Sequence, residues 1–155
     1  MSYFYLDSSA LAKRYLTEIG SSWIATLMKP ATENTIVVAE ITRVEVAAAI
    51  AARHRAAISI SRTERDELLR LLLLHFDTEY VITQLTAPVV SLAVRLTQNH
   101  RLRGYDAMQL ATALDTQATA RAAGLPGMLF IAADNDLVLA ARAEGRAADN
   151  PNLHS

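Results

Sequence analysis

YFYLDSSALAKRYL, residues 3–16, is the stretch that decides the fold. Its first four residues are aromatic or aliphatic, which is typical of a buried strand. Asp7, Ser8 and Ser9 follow this strand, and the apolar spacing of residues 10–16 predicts a short helix. A strand that passes directly into a helix is the repeating unit of parallel α/β sheets. The opening segment therefore indicates an α/β protein.

The rest of the chain repeats this alternation. Further strands are predicted at residues 35–39, 80–83 and 128–132, with a brief edge strand at 147–149. Helices are predicted at residues 21–28, 40–53, 62–77, 87–100, 104–123 and 134–144. This order favours a central parallel sheet covered by helices on both faces, a three-layer α/β/α fold. Sheets of that kind bind ligands beyond the carboxyl ends of their strands.

Composition limits the class of protein. The 155 residues predict one domain with a polar tail at 146–155, and 52% of them are apolar, so a sizeable core can form. The absence of cysteine excludes disulfides and thiolate chemistry. The start resembles no signal peptide, and the longest apolar segment, residues 68–76, is too short to span a bilayer. We expect a cytoplasmic protein without a membrane segment.

Two acidic residues lie just beyond predicted strands. Asp7 follows the strand at residues 3–6, and Asp134 follows the strand at residues 128–132. Each also precedes a predicted helix, where an aspartate side chain commonly accepts a hydrogen bond from a free backbone N–H. Either residue alone is explained by helix capping, so capping and ligand binding both remain open.

Glu45 is predicted to project from the apolar side of its helix. With a rotation of about 100° per residue, it falls within the arc of Ile41, Ala48 and Ala52. A buried carboxylate must be paired, coordinate a metal or take up a proton. A structural glutamate with a partner at the edge of the apolar stripe is the alternative.

Asp106 shows the same pattern in a later helix. It shares an arc with the apolar residues Leu110, Ala113 and Leu114, whereas Asp115 points away and is predicted to be solvated. Asp106 also lies in the first helical turn, where the helix dipole favours a negative charge, so a purely structural role is again possible.

The four acids together predict more than each does alone. If Asp7, Glu45, Asp106 and Asp134 converge on one cleft, their mutual repulsion requires a counter-ion. Carboxylate oxygens favour Mg²⁺ or Mn²⁺ over zinc. Such ions support hydrolysis of phosphodiesters without a protein nucleophile.

Four segments carry a resemblance to a known family. They are YLDSSALAKRY (5–15), TRVEVAAAI (42–50), LRGYDAMQLATAL (102–114) and FIAADNDLVLAA (130–141). In order and spacing they resemble the motifs of PIN-domain ribonucleases, specifically VapC-type toxins of type II toxin–antitoxin modules. The resemblance implies a PIN-like α/β/α fold and an endoribonuclease that uses Mg²⁺ or Mn²⁺. It also implies a cognate VapB-type antitoxin that silences the toxin.

The resemblance assigns roles to individual residues. Asp7, Glu45, Asp106 and Asp134 match the family's catalytic, metal-binding acids. Three further residues match supporting positions beside these acids: Ser9, Thr42 and Asp136. Asp136 is close enough in sequence to assist or replace Asp134 as the fourth acid.

Basic and apolar residues suggest the partners. Arg43, Arg101 and Arg103 lie near the acids in sequence and are predicted to contact RNA phosphates. The cluster at residues 68–74 is too apolar for one helix stripe and predicts a homodimer face or a groove for a partner's helix.

Three other functions share part of this pattern. The first is a PIN-like module that mainly binds protein or RNA, with little catalysis. The second is a receiver domain, which needs a late lysine, but no lysine follows Lys29. The third is a phosphatase of the haloacid dehalogenase type, which needs a second acid where this chain has Ser9. The ribonuclease remains the preferred prediction.

Overall fold

Five strands and seven α-helices make up the computed structural model, which describes residues 2–154. The strands are β1 (Tyr3–Leu6), β2 (Thr35–Ala39), β3 (Val81–Thr83), β4 (Met128–Ile131) and β5 (Ala148–Asp149). The helices are α1 (Ser8–Ala12), α2 (Ser21–Leu27), α3 (Thr42–Arg55), α4 (Arg62–Thr78), α5 (Ala87–Asn99), α6 (Gly104–Ala122) and α7 (Asn135–Ala143). Short 3-10 turns at Pro30–Thr32 and Pro151–Leu153 were not predicted. Ser155, the last residue of the predicted tail, lies outside the described residues.

The strands form one parallel sheet in the order β3-β2-β1-β4-β5. Strand β1 lies at the centre, where Tyr5 pairs with Val37 of β2 on one side and Phe130 of β4 on the other. The chain first builds outward through β2 and β3 and then crosses to β4 and β5. The change of direction therefore falls between β1 and β4, where parallel sheets open a crevice for ligands.

Helices cover both faces of this sheet. Alternate strand residues point to opposite sides, so Tyr5 and Phe130 enter one core and Leu6 and Ile131 the other. The first core is completed by α5, α6 and α7, and the second by α1 to α4. The predicted three-layer α/β/α fold with a parallel sheet is confirmed.

Local sequence explains most helix boundaries. Helix α4 begins at the predicted capping box, in which Ser61 accepts from Glu64 N and Glu64 accepts from Ser61 N. Helix α1 ends four residues earlier than predicted, at Ala12. After Ala12 the backbone hydrogen bonds join residues three positions apart, as in a 3-10 turn. One of them runs from Tyr15 N to Ala12 O at 3.0 Å.

The predicted inward face of α3 is wrong. Ala48 and Ala52 are exposed and Glu45 is half-buried. The face that enters the core consists of Thr42, Val46 and Ile50. Alanines lie on several sides of this helix, so they do not identify its buried face. Size and β-branching do not identify it alone either, because Val44 is 69% exposed; the buried residues are four positions apart. Glu45 consequently stands at the border between core and solvent, where a ligand can reach it.

The leucine cluster of α4 divides between core and surface. Leu72 is fully buried, and Leu68, Leu69 and Leu71 are partly buried against the second core. Two of these leucines, Leu73 and Leu74, are exposed, at 42% and 44%. Neither α4 nor any other helix within residues 2–154 has the length and apolar character needed to cross a membrane.

Candidate metal centre

Asp7 lies at the carboxyl end of the central strand and is only 2% exposed. Its carboxylate accepts hydrogen bonds from Ala10 N at 2.8 Å and from Ser9 Oγ at 2.7 and 2.9 Å, so it caps α1 as the capping interpretation predicted. Burial raises the pKa of Asp7 to about 7, although these hydrogen bonds oppose the shift. The charge of Glu45 raises this pKa further.

Ser9 connects the two strand ends that flank the crevice. Its hydroxyl donates to Asp7 and accepts from Ala133 N at 2.8 Å, while Asp7 N donates to Ile131 O at 3.0 Å. The hydroxyl that was predicted to support Asp7 therefore also fixes the segment that leads to Asp134.

Glu45 is held by an amide from α6. Gln109 Nε2 donates to Glu45 Oε2 at 2.6 Å and to Thr42 Oγ1 at 2.9 Å. The predicted supporting residue Thr42 is fully buried and is linked to Glu45 through this shared amide. Burial raises the pKa of Glu45, the hydrogen bonds from Gln109 and Ser8 oppose the shift, and the charge of Asp106 reinforces it.

Asp106 continues the line of acids. It is half-buried in the first turn of α6, and its Oδ2 accepts from Arg103 N at 3.3 Å. Burial raises the pKa of Asp106, this backbone hydrogen bond opposes the shift, and the charge of Asp134 raises it further. The electrostatic coupling thus runs from Asp7 through Glu45 and Asp106 to Asp134. Asp115, on the opposite side of α6, is exposed as predicted.

Asp134 and Asp136 are both exposed at the start of α7. Asp134 is the N-cap of that helix and accepts from Leu137 N at 3.0 Å, as its capping interpretation predicted. Both acids lie with Asp106 in a polar cleft of about 470 Å³. Its lining is completed by Thr97, His100, Arg101, Leu102 and Arg103.

The charge of Arg103 lowers the pKa of Asp106, but it does so without a contact ion pair in the described part of the chain. Within residues 2–154, none of the four predicted ligands forms an ion pair with lysine, arginine or histidine. In the same residues, no three acidic or histidine side chains stand close enough together to hold an ion as they are. The all-oxygen donor set, without ion-pair partners, fits Mg²⁺ or Mn²⁺. To share one ion, the more exposed acids would have to approach Asp7 and Glu45.

The three predicted phosphate-binding arginines separate into two groups. Arg101 and Arg103 are exposed and line the cleft with Asp106 and Asp134. Arg43 lies elsewhere, because two residues along a helix correspond to a turn of about 200°. Its guanidinium lies 4.9 Å from the centre of the Phe76 ring and 3.5 Å from Glu40.

Two residues of the site were missed from sequence. Gln109, which holds Glu45, lies one turn after Asp106 on the buried arc of α6, and Tyr5 donates from its phenol to Gln109 Oε1 at 3.1 Å. A glutamine on an otherwise apolar arc is a detectable signal, since a buried amide needs partners. The identity of those partners depends on contacts between distant parts of the chain.

The fold and the acids define the class of protein. The family model for the PIN domain matches residues 4–143, and the chain belongs to this family. PIN domains are generally nucleases. No curated protein matches the sequence.

Two solved structures share the fold. One is PAE2754 from Pyrobaculum aerophilum, which is 19% identical over 96% of this chain and 92% of that chain, with a TM-score of 0.56. The other is VapBC2 from Rickettsia felis bound to a DNA fragment from their promoter. It is 14% identical over 96% of this chain and 98% of that chain, with a TM-score of 0.59. At these identities the likeness concerns the fold alone.

Proposed function

We propose that the protein is a metal-dependent endoribonuclease that acts in the cytoplasm as the toxin of a toxin–antitoxin pair. The observation that carries this proposal is the line of four coupled carboxylates, none with a basic partner in the described residues, at the crevice of a PIN-domain sheet. Like charges that extend from a buried position to the surface repel one another, and a bound cation relieves that repulsion.

The proposed function assigns a role to each residue of the site. Asp7, Glu45 and Asp106 would hold Mg²⁺ or Mn²⁺, with Asp134 or Asp136 as the outer ligand. When bound, the ion activates a water molecule and stabilises the charge that develops on the phosphate. Ser9 orients Asp7, and the cleft arginines Arg101 and Arg103 offset the repulsion between the acids and the RNA backbone.

We expect the purified protein to cleave RNA in the presence of Mg²⁺ or Mn²⁺, and we expect this cleavage to stop when EDTA is added. Gel analysis of a transfer RNA, a ribosomal RNA fragment and a messenger RNA checks this result. Because a contaminating nuclease could mimic it, the Asp106→Asn variant, purified identically, is the control. Undiminished cleavage in EDTA, or equal cleavage by that variant, would contradict the metal mechanism.

A second candidate is a PIN-like module that binds RNA or protein with little catalysis. The observation in its favour is that, within residues 2–154, no three acids are positioned for an ion without movement. Retention of RNA in Mn²⁺, without cleavage of any substrate, would favour this function over the nuclease.

Arg103→Ala should weaken RNA binding several-fold at low salt, with a smaller effect at high salt, because ions screen an exposed phosphate contact. Arg43→Ala is the comparator. It was predicted from sequence to act in the same way, but its guanidinium packs on Phe76, so we expect the smaller loss of affinity. Fluorescence anisotropy across a salt series measures both variants in EDTA. Equal salt dependence in Arg103→Ala and the parent would remove Arg103 from the interface.

We further propose a homodimer that also accepts an antitoxin segment. The similar Rickettsia felis structure contains VapBC2 with promoter DNA, which supports a partner of this kind. A groove of about 470 Å³ between Tyr15 and Leu68 suits an amphipathic helix, and Leu73 and Leu74 leave apolar surface on α4. We expect the mass of a dimer by light scattering, and a monomer at high protein concentration would contradict it.

A further inference from the structure

The side-chain amide of Gln109, in α6, uses both its donor protons and its oxygen in hydrogen bonds. It is 1% exposed. Both protons of its Nε2 are used, one toward Thr42 Oγ1 at 2.9 Å and one toward Glu45 Oε2 at 2.6 Å. Its Oε1 accepts from the phenol of Tyr5 at 3.1 Å. The side chain thus joins α6 to the central strand β1 and to the start of α3.

The chemistry of the partners fixes the orientation of this amide. An ionised carboxylate only accepts hydrogen bonds, so the NH₂ group of Gln109 must face Glu45 and its oxygen must face Tyr5. Tyr5 is itself immobilised, because it is fully buried and stacks on Phe130 with ring centres 5.6 Å apart. The amide therefore presents a rigid donor to Glu45.

Glu45 needs such a donor because of its position. It stands on the half-buried border of α3, where a glutamate side chain can adopt many rotamers. The bond from Gln109 to Oε2 restricts these rotamers. Groups that orient metal ligands in this way typically change metal affinity by about 10- to 100-fold when they are removed.

We propose that Gln109 is a positioning residue that holds Glu45 in its cation-binding orientation, and that Tyr5 fixes the Gln109 amide. The inference rests on the proposed metal-dependent function. It gives a role to two residues to which the family resemblance assigns none, and the role of the buried Tyr5 phenol goes beyond packing.

The test is Mn²⁺ affinity measured by calorimetry on the RNA-free protein. We expect Gln109→Leu to weaken Mn²⁺ binding about 10- to 100-fold. Tyr5→Phe removes only the phenol oxygen and should weaken binding less, in the same direction. The matched control is Gln117→Leu. Gln117 is also buried in α6, but it accepts from Met128 N at 2.6 Å, away from the acids. That variant should melt at a lower temperature and bind Mn²⁺ like the parent.

The outcomes separate two failures. A parent protein that binds no Mn²⁺ removes the proposed function, and this inference with it. A parent that binds, together with a folded Gln109→Leu variant of equal affinity, overturns the inference alone. An equal loss in Gln117→Leu also overturns it, because the effect would then be one of general stability. If Gln109→Leu does not fold, Tyr5→Phe decides, and an affinity equal to the parent's overturns the proposal.

Discussion

We expect Asp106→Asn to abolish RNA cleavage while the metal-free protein stays at least as stable as the parent. Asparagine keeps the shape and an oxygen that can accept from Arg103 N, so the helix start is preserved. It removes the charge that raises the pKa of Glu45. We expect activity to fall by about a thousandfold or more, the scale seen when a group that stabilises a transition state is lost.

Melting curves in EDTA and in Mn²⁺ measure the stability of this variant and the stabilisation that it gains from the ion. Because a bound ion stabilises only the folded state, a variant that has lost a ligand should gain less stability from Mn²⁺. Asp115→Asn is the matched control, since Asp115 is an exposed aspartate on the other side of the same helix. It should behave like the parent in every assay. A clearly destabilised Asp106→Asn with the parent's full Mn²⁺ shift would count against Asp106 as a ligand.

The metal-free protein should become more stable as the pH falls from 8 to 5. The pKa of Asp7 is raised by burial from 3.8 to about 7 in the folded state, so folding takes up a proton between these values. The unfavourable contribution of Asp7 is complete above about pH 7 and is absent below about pH 3.8. The difference between pH 8 and pH 5 is about 2 to 3 kcal/mol for this group alone.

Asp7→Asn isolates this contribution. Other groups also titrate: the raised pKa values of Glu45 and Asp106 act in the same direction as Asp7, whereas the lowered pKa of His75 opposes it below about pH 6.5. Asparagine is a good N-cap, so the variant keeps the start of α1. Urea unfolding in EDTA should show a greater stability than the parent at pH 8 and a smaller gain on acidification. Parallel pH profiles for the two proteins would contradict the buried charge at Asp7.

The strands were the most predictable part of the fold. Buried parallel strands are short apolar runs, and a run such as residues 35–39 is bounded on both sides by polar residues, so its limits were predicted correctly. Helix faces were less predictable. The face of α6 that contains Asp106 also carries large apolar residues, and it is buried as expected. The alanines of α3 did not show which face of that helix is buried, so the orientation of Glu45 could not be predicted from them.

Contacts between distant segments were beyond prediction from sequence. Ser9 was expected to support Asp7, but its bond to Ala133 depends on β1 lying beside β4. The hydrogen bonds of Gln109 are also long-range: Tyr5 lies 104 positions from it in the sequence, and Glu45 lies 64 positions from it. Periodicity reports which side of an element is buried, and it does not report which element lies opposite.

If the proposed function is right, the four acids bind one cation. An anomalous difference map from crystals soaked in Mn²⁺ would show this ion. We expect a peak among the carboxylates of Asp7, Glu45 and Asp106, with Asp134 or Asp136 turned toward it. Well-ordered crystals in saturating Mn²⁺ with no peak there, or with a peak only at acids outside this group, would exclude a shared cation site.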